Sequence, residues 1–118
     1  MAEADLKQVL KDAREVELTV TGRKSGEEST RPVWFTEEGD RIYLLPVGGS
    51  GANWFKNLVQ TARIRLAGAG AELETEATPI TDAAAVNDVL RKFGEKYGDS
   101  QVKQYYPDQD VAVEVSLA

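Results

Sequence analysis

The stretch VTGRKSGEESTRPVWF, residues 20–35, places Arg23, Lys24 and Arg31 with Gly22, Gly26 and Trp34 in an otherwise acidic chain. Upstream of it, Val16, Leu18 and Val20 alternate with Glu15, Glu17, Thr19 and Thr21, the period-two pattern of a half-buried strand. The two glycines bracket a turn, and the chain resumes as a strand over 30–36. Pro32 has no backbone N–H to donate, so this second strand belongs at a sheet edge or begins there. The turn itself admits two readings. Successive amides in a glycine-bearing turn form an anion-binding concavity, to which Lys24 adds charge and Ser25 a donor. A solvated hairpin tip has the same composition.

Outward from this hairpin, EEGD (37–40) signals another turn before the apolar strand RIYLLPV (41–47). The flexible GGSGA (48–52) leads into NWFKNLVQ, with Asn53 as expected N-cap and Trp54, Phe55, Leu58 and Val59 as one helical face. ARIRLAG (62–68) and AELETEATPI (71–80) alternate again. Asp82 opens the longest helix, with Val86, Val89, Leu90, Phe93 and Tyr97 as its buried stripe and Gly98 as its stop. SQVKQYYPD is a short connecting segment, VAVEVSL the last strand, and Leu6, Val9, Leu10 and Ala13 predict a short helix over 4–13. Six strands joined by hairpin-length links predict a small antiparallel barrel plugged by helices, in one domain over 1–118. Such a barrel fills its interior with side chains, so a ligand sits outside, in a groove or at a subunit boundary.

Composition prunes the chemistry. With 14 basic against 20 acidic residues the net charge is −6, which argues against nucleic-acid binding. The chain has no cysteine and no histidine, which removes thiolate catalysis, the Ser-His-Asp triad and the usual zinc ligands. No metal site is expected. No apolar run approaches the roughly 20 residues of a membrane span, and the start MAEADLKQVLKD lacks a leader's apolar core, so the expected location is cytoplasmic.

TGRKSG (21–26), PVWF (32–35), EEGDRIYLLPV (37–47), a glycine-rich loop, and NWFKNL (53–58) before ARIRL form a combination with a counterpart. It resembles the deazaflavin-dependent nitroreductases and quinone reductases, a branch of the split β-barrel proteins that includes pyridoxamine-phosphate-oxidase-like flavoproteins. The resemblance implies an α+β, mainly β fold: a six-stranded antiparallel split β-barrel with flanking helices, usually a homodimer. It implies coenzyme F-420 as cofactor, with FMN second, and hydride transfer to a quinone, nitroaromatic or other small electron-poor acceptor. The alternative is the same barrel as a non-catalytic carrier or sensor.

Carried over residue by residue, Arg23, Lys24, Ser25 and Gly26 match the turn that grips the cofactor's phosphate and tail, and Arg31 adds a cation. Gly48, Gly49 and Ser50 would line the ring through backbone contacts, although a plain flexible link reads equally well. Trp54 sits in the recurring W…NL helix, as ligand contact or as core. Tyr105 and Tyr106 fall where tyrosines lie over the substrate pocket, which makes them the candidate catalytic residues, one covering the ring or donating a proton and at least one in a packing role. Two departures stand out: Ser29 where the family often has a base, and no lysine in GGSGAN. Arg63 and Arg65 share a strand face with Glu72, Glu74 and Glu76 opposite, which predicts cross-strand ion pairs rather than ligand contacts.

Overall fold

The computed structural model describes residues 13–68, 71–106 and 109–117. In chain order these form β1 (Val16–Thr21), β2 (Glu28–Val33), β3 (Phe35–Glu38), β4 (Arg41–Leu44), a 3-10 turn (Gly49–Gly51) and α1 (Asn53–Gln60). They continue as β5 (Arg63–Gly68), β6 (Ala71–Ile80), α2 (Ala83–Tyr97), α3 (Asp99–Tyr105) and β7 (Ala112–Ser116). Except for Ala13, the helix expected over 4–13 lies outside the described residues.

All the strands pair antiparallel in the order β2-β1-β5-β6-β7-β4-β3. The sheet has seven strands where the sequence pattern suggested six, because the run 30–36 is broken at Trp34. Its first part pairs with β1 at one end of the sheet, Val33 opposite Val16, and its second with β4 at the other, Phe35 opposite Leu44. A single residue joins the two terminal strands, so the sheet must curl until its edges meet at Trp34. β6 makes the opposite bend: residues 71–76 pair with β5 and residues 77–80 with β7. The result is an antiparallel curled sheet of split-barrel form, mainly β with helices packed on it.

Alternation decides what fills it. Leu18, Ile64, Leu66, Phe35, Ile42, Leu44, Val113 and Val115 point inward and are buried, together with Trp54, Phe55 and Leu58 of α1. Each large side chain buried this way contributes about 1.5–3 kcal/mol. A second cluster outside the barrel packs Val86, Val89, Phe93 and Tyr97 of α2 and Val102 of α3 against Tyr43, Leu45, Tyr106 and Ala112. Pro32 sits on β2, an edge strand, as its missing donor requires.

Local expectations hold for α2, where the Asp82 carboxylate accepts from the Ala85 amide at 3.0 Å and Gly98 ends the helix at φ 96°. They fail at three places. α1 is preceded by Ala52 with no side-chain cap, so Asn53 is its first residue and not its cap. Val59 is exposed, because the buried stripe turns from Phe55 to Leu58 and away from it. Residues 99–105 are helical, α3, where the sequence suggested a connector. Among the described residues no helix is long and apolar enough to cross a membrane.

Candidate functional site

The corner at Trp34 also shapes the main cleft. Its indole stacks on Tyr97 at 4.1 Å between ring centroids and 11° between planes, and meets Tyr105 edge-on at 5.4 Å and Tyr106 at 6.3 Å. Beneath the stack the Tyr97 hydroxyl holds the corner: it accepts from the Phe35 amide at 3.1 Å and has the carbonyls of Arg14 and Phe35 at 2.7 and 2.9 Å. Burial pushes the Tyr97 phenol up to about 12, opposed in part by its bond to the Phe35 backbone.

Beside this aromatic block opens a cleft of about 460 Å³. Arg31, Pro32 and Val33 of β2 form one side, Leu45 and Val47 another, and Asn53 and Trp54 of α1 the third, with Tyr105 and Tyr106 over the top. Glu15 and Arg31 are its only charged lining residues among those described. Tyr105 is half exposed, whereas Tyr106 is buried, and burial drives its phenol well above the ordinary tyrosine range. A cavity of this size with aromatic walls is of the kind that holds an organic ring.

Of the residues singled out from sequence, the fold gathers Arg31, Trp54, Tyr105 and Tyr106 in this cleft. Trp34 lines it too. The GRKSG turn lies next to it. The Gly22 amide donates to the Glu27 carbonyl and the Gly26 amide to Gly22, closing the tip, while Ser25 Oγ accepts from the Glu27 amide at 3.1 Å. Arg23 docks this tip on α1: its amide donates to Asn57 Oδ1 at 3.2 Å and its guanidinium to the same atom at 2.7 Å. Asn57, 34 positions further along the chain, therefore ties the turn to the helix that carries Trp54. Gly26 takes φ 75°, the left-handed region that suits glycine.

Gly48, Gly49 and Ser50 are placed differently. The chain leaves the cleft lining at Val47 and rejoins it at Ala52, and the loop between closes on Asp110. That carboxylate accepts from the Ser50 amide at 2.9 Å and from Ser50 Oγ at 2.6 Å, which holds it below the usual carboxylate range. A Cβ on Gly49 would run into Asp110 Oδ1. The loop thus binds an anion, but an internal one supplied sixty residues later.

The arginines of β5 divide. Arg63 reaches Glu74 of β6 at 3.5 Å, a cross-strand pair as expected, whereas Arg65 turns across β1 to Glu28 of β2 at 2.6 Å. Among the described residues no cluster of His, Cys, Asp and Glu could hold a metal ion.

Fold and cleft together define a split-barrel protein with a ring-sized external pocket. The chain belongs to the family described as "Uncharacterized protein conserved in bacteria (DUF2255)", whose pattern matches residues 5–115. No curated protein matches it. Among solved structures it is similar to an F420-H2 dependent reductase (FDR-A), at TM-score 0.70 and 17% identity over 87% of this chain and 94% of that one. It is also similar to a putative 5-nitroimidazole antibiotic resistance protein from Bacteroides thetaiotaomicron, at TM-score 0.70 and 15% identity over 96% and 78% of the two chains. The heme storage protein HutZ from Vibrio cholerae matches at TM-score 0.72 and 13% identity over 98% and 89%. The likeness is one of fold: the split barrel of deazaflavin reductases and pyridoxamine-phosphate-oxidase-like proteins is the architecture of this chain.

Proposed function

We propose that the cleft takes a deazaflavin of the F-420 type, with FMN as the second candidate, and that the protein is a reductase for small electron-poor acceptors such as quinones and nitroaromatics. The observation that carries this reading is the convergence of Arg31, Trp54, Tyr105 and Tyr106, from three separate parts of the sequence, on one aromatic-walled cleft. The fit is good on two counts. Trp34, partly exposed, offers flat apolar surface to a ring with the buried Trp54 at its margin, and Arg31 offers a guanidinium to an anionic chain. The names of two similar folds, an F420-H2 dependent reductase and a nitroimidazole resistance protein, point the same way. Heme is less suited, since this chain has neither His nor Cys as axial ligand.

When bound, such a cofactor supplies the hydride. The chain's own residues bind and orient. Arg31 holds the anionic part, and the turn Arg23–Gly26 extends the cationic surface, with Lys24 free of any ion pair to a described residue. Tyr106 keeps its proton at neutral pH, because burial disfavours the phenolate, so its hydroxyl is a donor for an oxygen of the acceptor. Tyr105 closes the mouth against water. The protein is read as a cytoplasmic homodimer, and a chain of this fold is described as a domain-swapped dimer.

One observation favours the second reading, a carrier or sensor without turnover: the glycine loop is already closed on Asp110 and has no free amide at Ser50 for a ligand. Mixing the protein with reduced F-420 and a quinone or nitroaromatic separates the two. Faster reoxidation than without protein supports the reductase; tight binding with no acceleration supports the carrier; no binding of F-420 or FMN refutes both.

A further inference from the structure

The two charges that line the cleft stand apart. Arg31 is on β2, while Glu15, one residue before β1, falls level with Trp34 when the register that pairs Val16 with Val33 is continued. Arg31 and Trp34 are three residues apart, about 10 Å along an extended strand. That is about the screening length at physiological salt, so neither charge cancels the other. Both residues are exposed, and neither side chain forms an ion pair with a described residue. Arg14, the cation next to Glu15 in sequence, has its guanidinium over the Tyr97 ring, 5.4 Å from the centroid, and does not line the cleft.

Glu15 acts on the aromatic end. Burial is the main cause that raises the Tyr97 phenol, and the Glu15 charge adds to the rise, which puts that carboxylate within electrostatic reach of the Trp34–Tyr97 stack. Trp34 is partly exposed and Tyr105 half exposed, so both present ring surface to a ligand there. The face of an indole attracts positive charge. An unpaired carboxylate beside it attracts a cation further and repels an anion. With the anionic chain of a cofactor at Arg31, the acceptor is left with the end where Glu15 stands.

We propose that Glu15 sets the charge of the acceptor: the aromatic end of the cleft takes electron-poor rings that are neutral or positively charged, such as a nitroaromatic bearing an ammonium group, and turns away those bearing a carboxylate. The inference rests on the reductase reading for the kind of molecule that enters. The charge preference itself is a property of binding and shows without turnover.

Three rings that differ in charge test it: para-nitrobenzyltrimethylammonium, para-nitrobenzyl alcohol and para-nitrobenzoate, titrated into the full chain and followed by quenching of tryptophan fluorescence. Both tryptophans of the chain, Trp34 and Trp54, line the cleft, so the signal comes from there. Glu15→Gln should lower the ratio of cation to anion affinity by about tenfold, from about threefold attraction and about threefold repulsion by one exposed carboxylate, and leave the neutral ring unchanged. Glu76→Gln removes an equal charge from an exposed position of β6 outside the cleft and should leave the ratio as it is. A ratio that Glu15→Gln does not move, an equal fall in Glu76→Gln, or no quenching by any of the three up to about 10 mM overturns the inference. Reoxidation of reduced F-420 by the neutral ring is measured alongside. The expected ratio with no acceleration refutes the reductase and keeps the charge preference, whereas acceleration with an unmoved ratio does the reverse.

Discussion

Replacing Tyr97 by Phe removes one oxygen and keeps the ring that stacks on Trp34. The Phe35 amide, which donates to that oxygen at 3.1 Å in a fully buried residue, is left without a partner. An orphaned buried donor costs about 1–3 kcal/mol. With an unfolding entropy of about 2.1 cal/mol/K per residue over 118 residues, each kcal/mol is about 4 °C of Tm, so Tyr97→Phe should melt about 4–12 °C lower. The alkaline limb provides a second reading of the same group. The phenol's pKa rises from 10 in the unfolded chain to about 12 in the folded one, so its contribution is complete below pH 10 and is lost between about pH 10 and 12. That difference amounts to about 3 kcal/mol, and Tyr97→Phe should flatten this part of the stability curve, leaving the fall due to Tyr106. Thermal and urea unfolding followed by circular dichroism between pH 7 and about 11 measure both. An unchanged Tm, or an alkaline limb identical to the parent's, would refute the account of Tyr97 as the clamp at the barrel's corner.

Other outcomes follow from the loops. Gly49→Ala places a Cβ at φ 65°, which costs about 1–2 kcal/mol, and drives it into Asp110; equal stability in urea would show that the loop is not closed there. Asn57→Ala leaves Arg23 only its long bond to the Asn53 carbonyl, so amide exchange at Arg23 and Lys24 should speed up while the core is unaffected, and unchanged exchange would mean the turn is not held by Asn57. Lys24→Ala should weaken F-420 binding several-fold and reduce its dependence on salt, and an unchanged affinity and salt response would make the turn a plain hairpin tip.

How much of this was written in the sequence varies with the range of the interaction. The alternation in β1, β5 and β6 and the stripe of α2 are local, and they read correctly. The break at Trp34 does not show in TRPVWFT, since nothing within those seven residues says that the two halves pair at opposite ends of one sheet; closure of the barrel decides it. α3 is seven residues with Val102 as its buried member, too short for a periodicity to register. Arg31, Trp54, Tyr105 and Tyr106 were recognisable by type and resemblance, and the fold brings them together. Ser50 and Gly49 were misleading for a physical reason: a loop built to bind an anion looks the same whether the anion is a ligand or Asp110.

The central claim is that this cleft binds a deazaflavin or flavin through Arg31. The direct measurement is a fluorescence titration with F-420, FMN and FAD of the parent protein and of Arg31→Ala in parallel. The account predicts micromolar binding of F-420 or FMN by the parent, and a loss of about tenfold or more in Arg31→Ala, the worth of one charge-assisted contact. Failure of all three to bind the parent, or equal affinity in the two proteins, would contradict it.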